Sequence, residues 1–183
     1  RLRQLAFKWG QKNPNDGQLL YLDNLDESIE QFVPGVLDKR QIEDRAEALA
    51  ALAIHFVSVG PVLVFTIKPA EVVKIGKTIS ALLEKRKLQS LSTHQAEINK
   101  HVIPTVERII GSDHQLVSFL KQGFAFHYGP LPKEVRQTIE EAVRNEIIPL
   151  VIANETLAQG VNLPIKTLVI DTVNRGNAPM SVR

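Results

Sequence analysis

Three short stretches hold the residue types that could grip a ligand. They are Thr66-Ile67-Lys68-Pro69, then His127-Tyr128-Gly129-Pro130, then the run from Ala153 to Pro164, ANETLAQGVNLP. Each follows a short apolar run. Thr66 and Thr156 supply hydroxyls, His127 an imidazole and Asn162 an amide. Gly129 and Gly160 let a backbone turn tightly or approach a bound group closely. Such a set suits holding a polar ligand more than making or breaking bonds. The chain has no cysteine nucleophile, no G-x-S-x-G elbow, no G-x-G-x-x-G loop and no dense carboxylate cluster. It also lacks the G-x-x-x-x-G-K-[ST] loop that cradles phosphates and the D-E-x-H motif that holds magnesium. Plainer roles stay open for each residue. Thr156 can cap a helical turn opened by Leu157-Ala158. His127 can be a hydrogen-bonded structural histidine. Gly160 and Pro164 can be turn residues. Arg136 can sit on a solvated helix face or pair with Glu140 one turn on. Asp171 reads as a cap or loop residue.

These stretches need elements to position them. Gln4 to Trp9 and Gln18 to Leu22 flank the turn signal Asn13-Pro14-Asn15-Asp16-Gly17 and predict a β-hairpin. A short apolar-periodic stretch runs from Asp26 to Phe32. A helix is expected from about Gln41 to Val59, ended by Gly60 and Pro61. Val62 to Phe65 then reads as a strand buried on both faces. Helices are expected from about Ala70 to Lys87 and over Ser92 to Gln122, the latter broken near Pro104 and at Gly111-Ser112. Phe124 to Phe126 is a second strand, followed by a helix from Pro132 to about Asn145. Leu150 to Ile152 is a third strand, beginning after Pro149, which cannot donate to a ladder. Leu168 to Asp171 is a fourth. Strands alternating with helices specify an α/β fold, a parallel sheet with helices on both faces. A parallel sheet binds ligands at the carboxyl ends of its strands, where all three polar stretches fall.

Composition narrows the class further. At 183 residues the chain holds one domain with a real core. Apolar residues make up 44% and charged residues 23%, the balance of a soluble globular protein. A net charge of +2 does not by itself imply nucleic-acid binding. Without cysteine there are no disulfides or zinc clusters, which suits a reducing compartment. No apolar run spans a bilayer, so the expected location is cytoplasmic, or nuclear in a eukaryote, with no membrane partner and no resident metal.

The run Thr156 to Pro164, TLAQGVNLP, resembles motif V of superfamily-two helicases in the form found in the Ski2-like and related DExH-box families. Three further segments are similar in the same order. Val62 to Thr66 resembles motif IV. Phe126 to Pro132, with Arg136 and Ile139-Glu140 beyond it, resembles the family's F-H-H-G-x-L-P segment with its downstream arginine and Ile-Glu pair. The opening hairpin is similar to the one that leads into the second motor domain. Relatives commonly enter motif V through Ala-Thr-x-Thr. Here Ala153-Asn154-Glu155-Thr156 keeps the second threonine and places a glutamate beside it.

The resemblance implies a single RecA-like (helicase C-terminal) domain over residues 1–183. Residues 1–60 would form the opening hairpin and helices, and residues 61–183 the core. It implies contact of Thr66, His127, Gly129 and Thr156 with a single strand of DNA or RNA, through phosphates. Gly160 and Asn162 would lie near the bound nucleotide. ATP and magnesium would be held mainly by a first motor domain, expected before Arg1, and the arginine-finger motif is expected after Asp171. The parent protein would be an ATP-dependent helicase, and the piece alone inactive. A second reading is a non-catalytic protein-interaction module on a degenerate helicase fold, compatible with the modest charge and the long helical stretch 92–122. A small-molecule enzyme of doubly wound fold has no motif to support it.

Overall fold

The computed structural model describes residues 45–154, 157, 163–171, 174–175 and 178–179. The hairpin expected over residues 4–22 and the stretch 26–32 lie outside them, as do Thr156, Gly160 and Asn162.

The alanine-rich run RAEALAALAIHF forms α1 (Arg45–Phe56). It ends three residues short of Val59, in a turn where the Ser58 hydroxyl donates to the His55 carbonyl at 2.9 Å. β1 (Val62–Phe65) follows, its bounds as the apolar run places them. Pro69 opens α2 (Pro69–Lys85), where a missing N–H costs nothing. A buried glycine in mid-helix, Gly76, lets α2 approach Phe119 closely.

Pro104 does not break the next helix. α3 (Gln95–Glu97) runs into a π-helical turn (Ile98–Val102) and on into α4 (Ile103–Ile110). Pro104 has no N–H to give the carbonyl four residues back, and its ring crowds that turn. The wider turn relieves this: Ile103 donates its N–H to Ile98, five residues back. The true break is Gly111, at φ +86°. α5 (Gln115–Leu120) is capped by the His114 ring, whose Nδ1 accepts from the Leu116 N–H. Then come β2 (Ala125–His127), α6 (Lys133–Arg144), β3 (Leu150–Ala153) and β4 (Thr167–Ile170). A short antiparallel pair, β5 (Asn174–Arg175) and β6 (Ala178–Pro179), comes last.

The four longer strands form one parallel sheet in the order β2-β3-β1-β4. Its register pairs Phe65 with both Ala153 and Ile170, and His127 with Ala153. α1 packs on β1 and β4, α2 on β2 and β3, and α6 on β2. This is the α/β, RecA-like architecture expected. β2 and β3 are buried along their whole length. β1 is not, contrary to expectation: Val62 and Val64 are buried, but Leu63 and Phe65 are only half covered. Next to them Leu168 and Ile170 are 49% and 46% exposed. The β1–β4 half of the sheet is thus closed on one face only among the described residues. Within the same residues no helix is long and apolar enough to cross a membrane.

Candidate nucleic-acid interface

Parallel strands end on the same edge, so the loops after β1, β2 and β3 leave the sheet side by side. Thr66 stands at the first of these ends. Its N–H donates to the Ala153 carbonyl at 2.9 Å, which carries the ladder one residue past β1. The side chain has no exposed surface. Its hydroxyl donates to Asp171 Oδ2 at 2.9 Å, and the Asp171 N–H donates to the Phe65 carbonyl at 2.8 Å. Beyond Thr66 the chain reaches exposed Lys68 and turns into α2.

His127 ends β2 and is 1% exposed. Its Nε2 lies 2.8 Å from Glu140 Oε1 on α6. Burial pushes the imidazole below its ordinary value of 6.5; the bond to Glu140 and that residue's charge pull it back up, and nearby Arg136 pushes it down. At neutral pH the ring is therefore uncharged, with its proton on Nε2 facing the carboxylate. Nδ1 is buried with no hydrogen-bond partner, and so is Arg136 Nε. Arg136 does not pair with Glu140, as its spacing allows. The carboxylate is taken by the histidine.

Tyr128 packs edge-on against Phe126 with ring centroids 5.2 Å apart. The turn closes where the Leu131 N–H donates to the Tyr128 carbonyl at 3.1 Å, leaving Gly129 half exposed at the bend. After β3, Asn154 is buried and its carbonyl accepts from the Leu157 N–H at 3.1 Å. The chain is described again at 163–165, half-buried against the core.

The fold thus brings Thr66, His127, Gly129 and the start of the ANETLAQGVNLP run to one edge. β3 separates β1 from β2, so Thr66 and His127 stand roughly 10 Å apart by ordinary strand spacing. Two residues of this edge escaped sequence reasoning, Glu140 as the partner of His127 and Asp171 as the partner of Thr66. Nothing in the spacing could have signalled a bond across 105 residues. Among the described residues no three His, Cys, Asp or Glu side chains converge to hold a metal ion.

No family model matches the chain. Individual proteins do. The chain is 32% identical over 130 residues to Hachiman protein HamB of Bacillus cereus, covering 71% of this chain and 12% of that protein. It is 29% identical over 137 residues to the ATP-dependent DNA helicase Hel308 of Pyrobaculum calidifontis, covering 74% of this chain and 19% of that one. To the pre-mRNA-splicing factor brr2 of Schizosaccharomyces pombe it is 28% identical over 146 residues, 78% of this chain and 7% of that one. The chain spans less than a fifth of the length of each of these three. A RecA-like α/β segment, it is related in sequence to ATP-dependent helicases of the Hel308 kind.

Proposed function

We propose that this chain is the second motor domain of a Ski2-like, DExH-box helicase, that it holds a single nucleic-acid strand, and that it forms half of an ATP cleft. The observation that carries this reading is the shared sheet edge, from which the loops of Thr66, His127–Gly129 and Asn154–Leu157 all leave. A motor that tracks any sequence must grip phosphates and sugars through amides, hydroxyls and close backbone approach. Gly129 offers its amide at an exposed bend. Thr156 offers a hydroxyl and neighbouring amides. Thr66 and His127, both buried, act by anchoring the loops that leave from them. Gly160 and Asn162 are assigned to the nucleotide site, the nucleotide's phosphates and magnesium being held mainly by a first motor domain in the same protein. Closure of the two domains on ATP and their opening after hydrolysis would shift these grips along the strand. Hel308 is named for DNA and brr2 for pre-mRNA, so either strand suits this reading. A cytoplasmic or nuclear location agrees with such a substrate.

The test is strand binding and unwinding by the full-length protein carrying Thr156→Ala. Loss of one charge-assisted phosphate bond is expected to weaken single-strand affinity about tenfold or more and to slow unwinding in step. Unchanged affinity and unwinding would sink the role given to this loop. The 183-residue chain alone is expected to hydrolyse no ATP, since the phosphate-cradling loop is not in its sequence. Strand-stimulated turnover by the purified chain would overturn that. The rival reading, a non-catalytic interaction module, is favoured instead if the full-length protein lacks both a phosphate-binding loop and strand-stimulated turnover.

A further inference from the structure

Thr66 and Asp171 lie 105 residues apart in sequence yet share a part-buried hydrogen bond at the edge where the strand-gripping loops begin. Threonine carries a single O–H. While that proton goes to Asp171 Oδ2, it is not available to a phosphate oxygen. The same two residues lengthen the ladder on either side of β1. Asp171 donates its N–H to Phe65, and Thr66 donates its N–H to Ala153. Three strand ends are thereby latched at one level: β4 through Asp171, β1 through Thr66 and β3 through Ala153. From β1 the chain continues to exposed Lys68, and from β3 to the stretch holding Thr156.

We propose that Asp171 is a positioning residue for nucleic-acid binding: its carboxylate holds the Thr66 hydroxyl and so sets the loops after β1 and β3 at the height from which they reach the strand's phosphates. This rests on the proposed strand-binding function. Thr66 is then the inner half of the latch and gives no proton to the phosphate. The contacts of its loop come from the groups beyond it.

A double-mutant cycle in the full-length protein tests this, using fluorescence anisotropy with single-stranded DNA and RNA oligonucleotides at one fixed salt concentration. Asp171→Ala and Thr66→Val are each expected to weaken binding about five- to tenfold, the worth of one internal hydrogen bond felt at the loops. The double variant should be no weaker than the worse single one. Asp171→Asn should recover most of the affinity, because its amide oxygen accepts the same bond. Melting curves check that every variant is folded at the assay temperature. Losses that add in the double variant overturn the latch, as do equal losses for Asp171→Asn and Asp171→Ala. A lowered Tm with unchanged affinity of the folded protein overturns it too, since that marks a purely structural bond. A wild-type protein that binds no strand is a different result, and overturns the functional reading beneath the proposal.

Discussion

Gly123→Ala is expected to remove about 2–5 kcal/mol of stability and to lower Tm by roughly 5–15 °C. Two costs add. Gly123 stands at φ +79°, where an L side chain is strained by about 1–2 kcal/mol. The new Cβ would also collide with Ser90 Oγ and lie 2.5 Å from the Ser92 nitrogen and 2.9 Å from the Leu91 nitrogen. A side-chain hydroxyl can swing away, but these backbone atoms cannot. Leu91 N–H donates to Gln122 at 2.9 Å, Ser92 N–H to Ser90 Oγ at 3.0 Å, and Ser92 Oγ to the Ile147 carbonyl at 2.7 Å. Overpacking against so tied a segment costs a further 1–3 kcal/mol or so. The damage would travel into the site. Phe124, the next residue, stacks on Phe119 at 4.8 Å, and β2 begins directly after it. Urea melts of the wild type and Gly123→Ala, monitored by circular dichroism, check this. A loss no larger than the roughly 1–2 kcal/mol of backbone strain would mean that the close approach at Gly123 carries no energy.

The second large effect is at His127 and Glu140. Glu140→Ala leaves the Nε2 proton of a buried ring without its acceptor, which costs about 1–3 kcal/mol at neutral pH. Stability should also depend on pH. Burial holds His127 below its ordinary 6.5 in the folded chain. As pH falls below 6.5, the unfolded chain takes up a proton that the folded chain refuses. Acid therefore favours unfolding, and the loss continues until pH reaches the lowered folded value. The contribution is fully present above the ordinary value. His114 is also lowered by burial and adds a loss of the same sign. Glu140 pulls His127 upward, so Glu140→Gln, which keeps an acceptor oxygen but no charge, should widen the window toward lower pH. His127→Leu should remove its share of the slope just below pH 6.5. Denaturant melts at half-unit steps of pH measure this. A flat wild-type profile, or an unchanged slope in His127→Leu, would refute it.

The features legible in the sequence were local. The period of the apolar residues and the prolines and glycines at their ends are signals that act within a few residues. They placed β1 without error, began the next helix within one residue of Pro69, where it starts, and began the third strand after Pro149. The α/β class and the polar edge came from these alone. Two helix ends carry no glycine to mark them. α2 and α6 are succeeded by Lys87 and Glu146 at φ +57°, a left-handed position usually left to glycine.

Packing decided the rest. Whether Pro104 breaks a helix depended on the cost of a π-helical turn against buried Ile98 and Val102. Glu140 could pair with Arg136 within its own helix or with His127 on β2. The fold chose the buried ring, whose Nε2 proton is shut away from water and takes the carboxylate as its acceptor. Thr66 and Asp171 meet only because the sheet order sets β1 beside β4. A motif marks which loops belong at the edge, but its hydrogen bonds are set by neighbours brought together from distant parts of the chain.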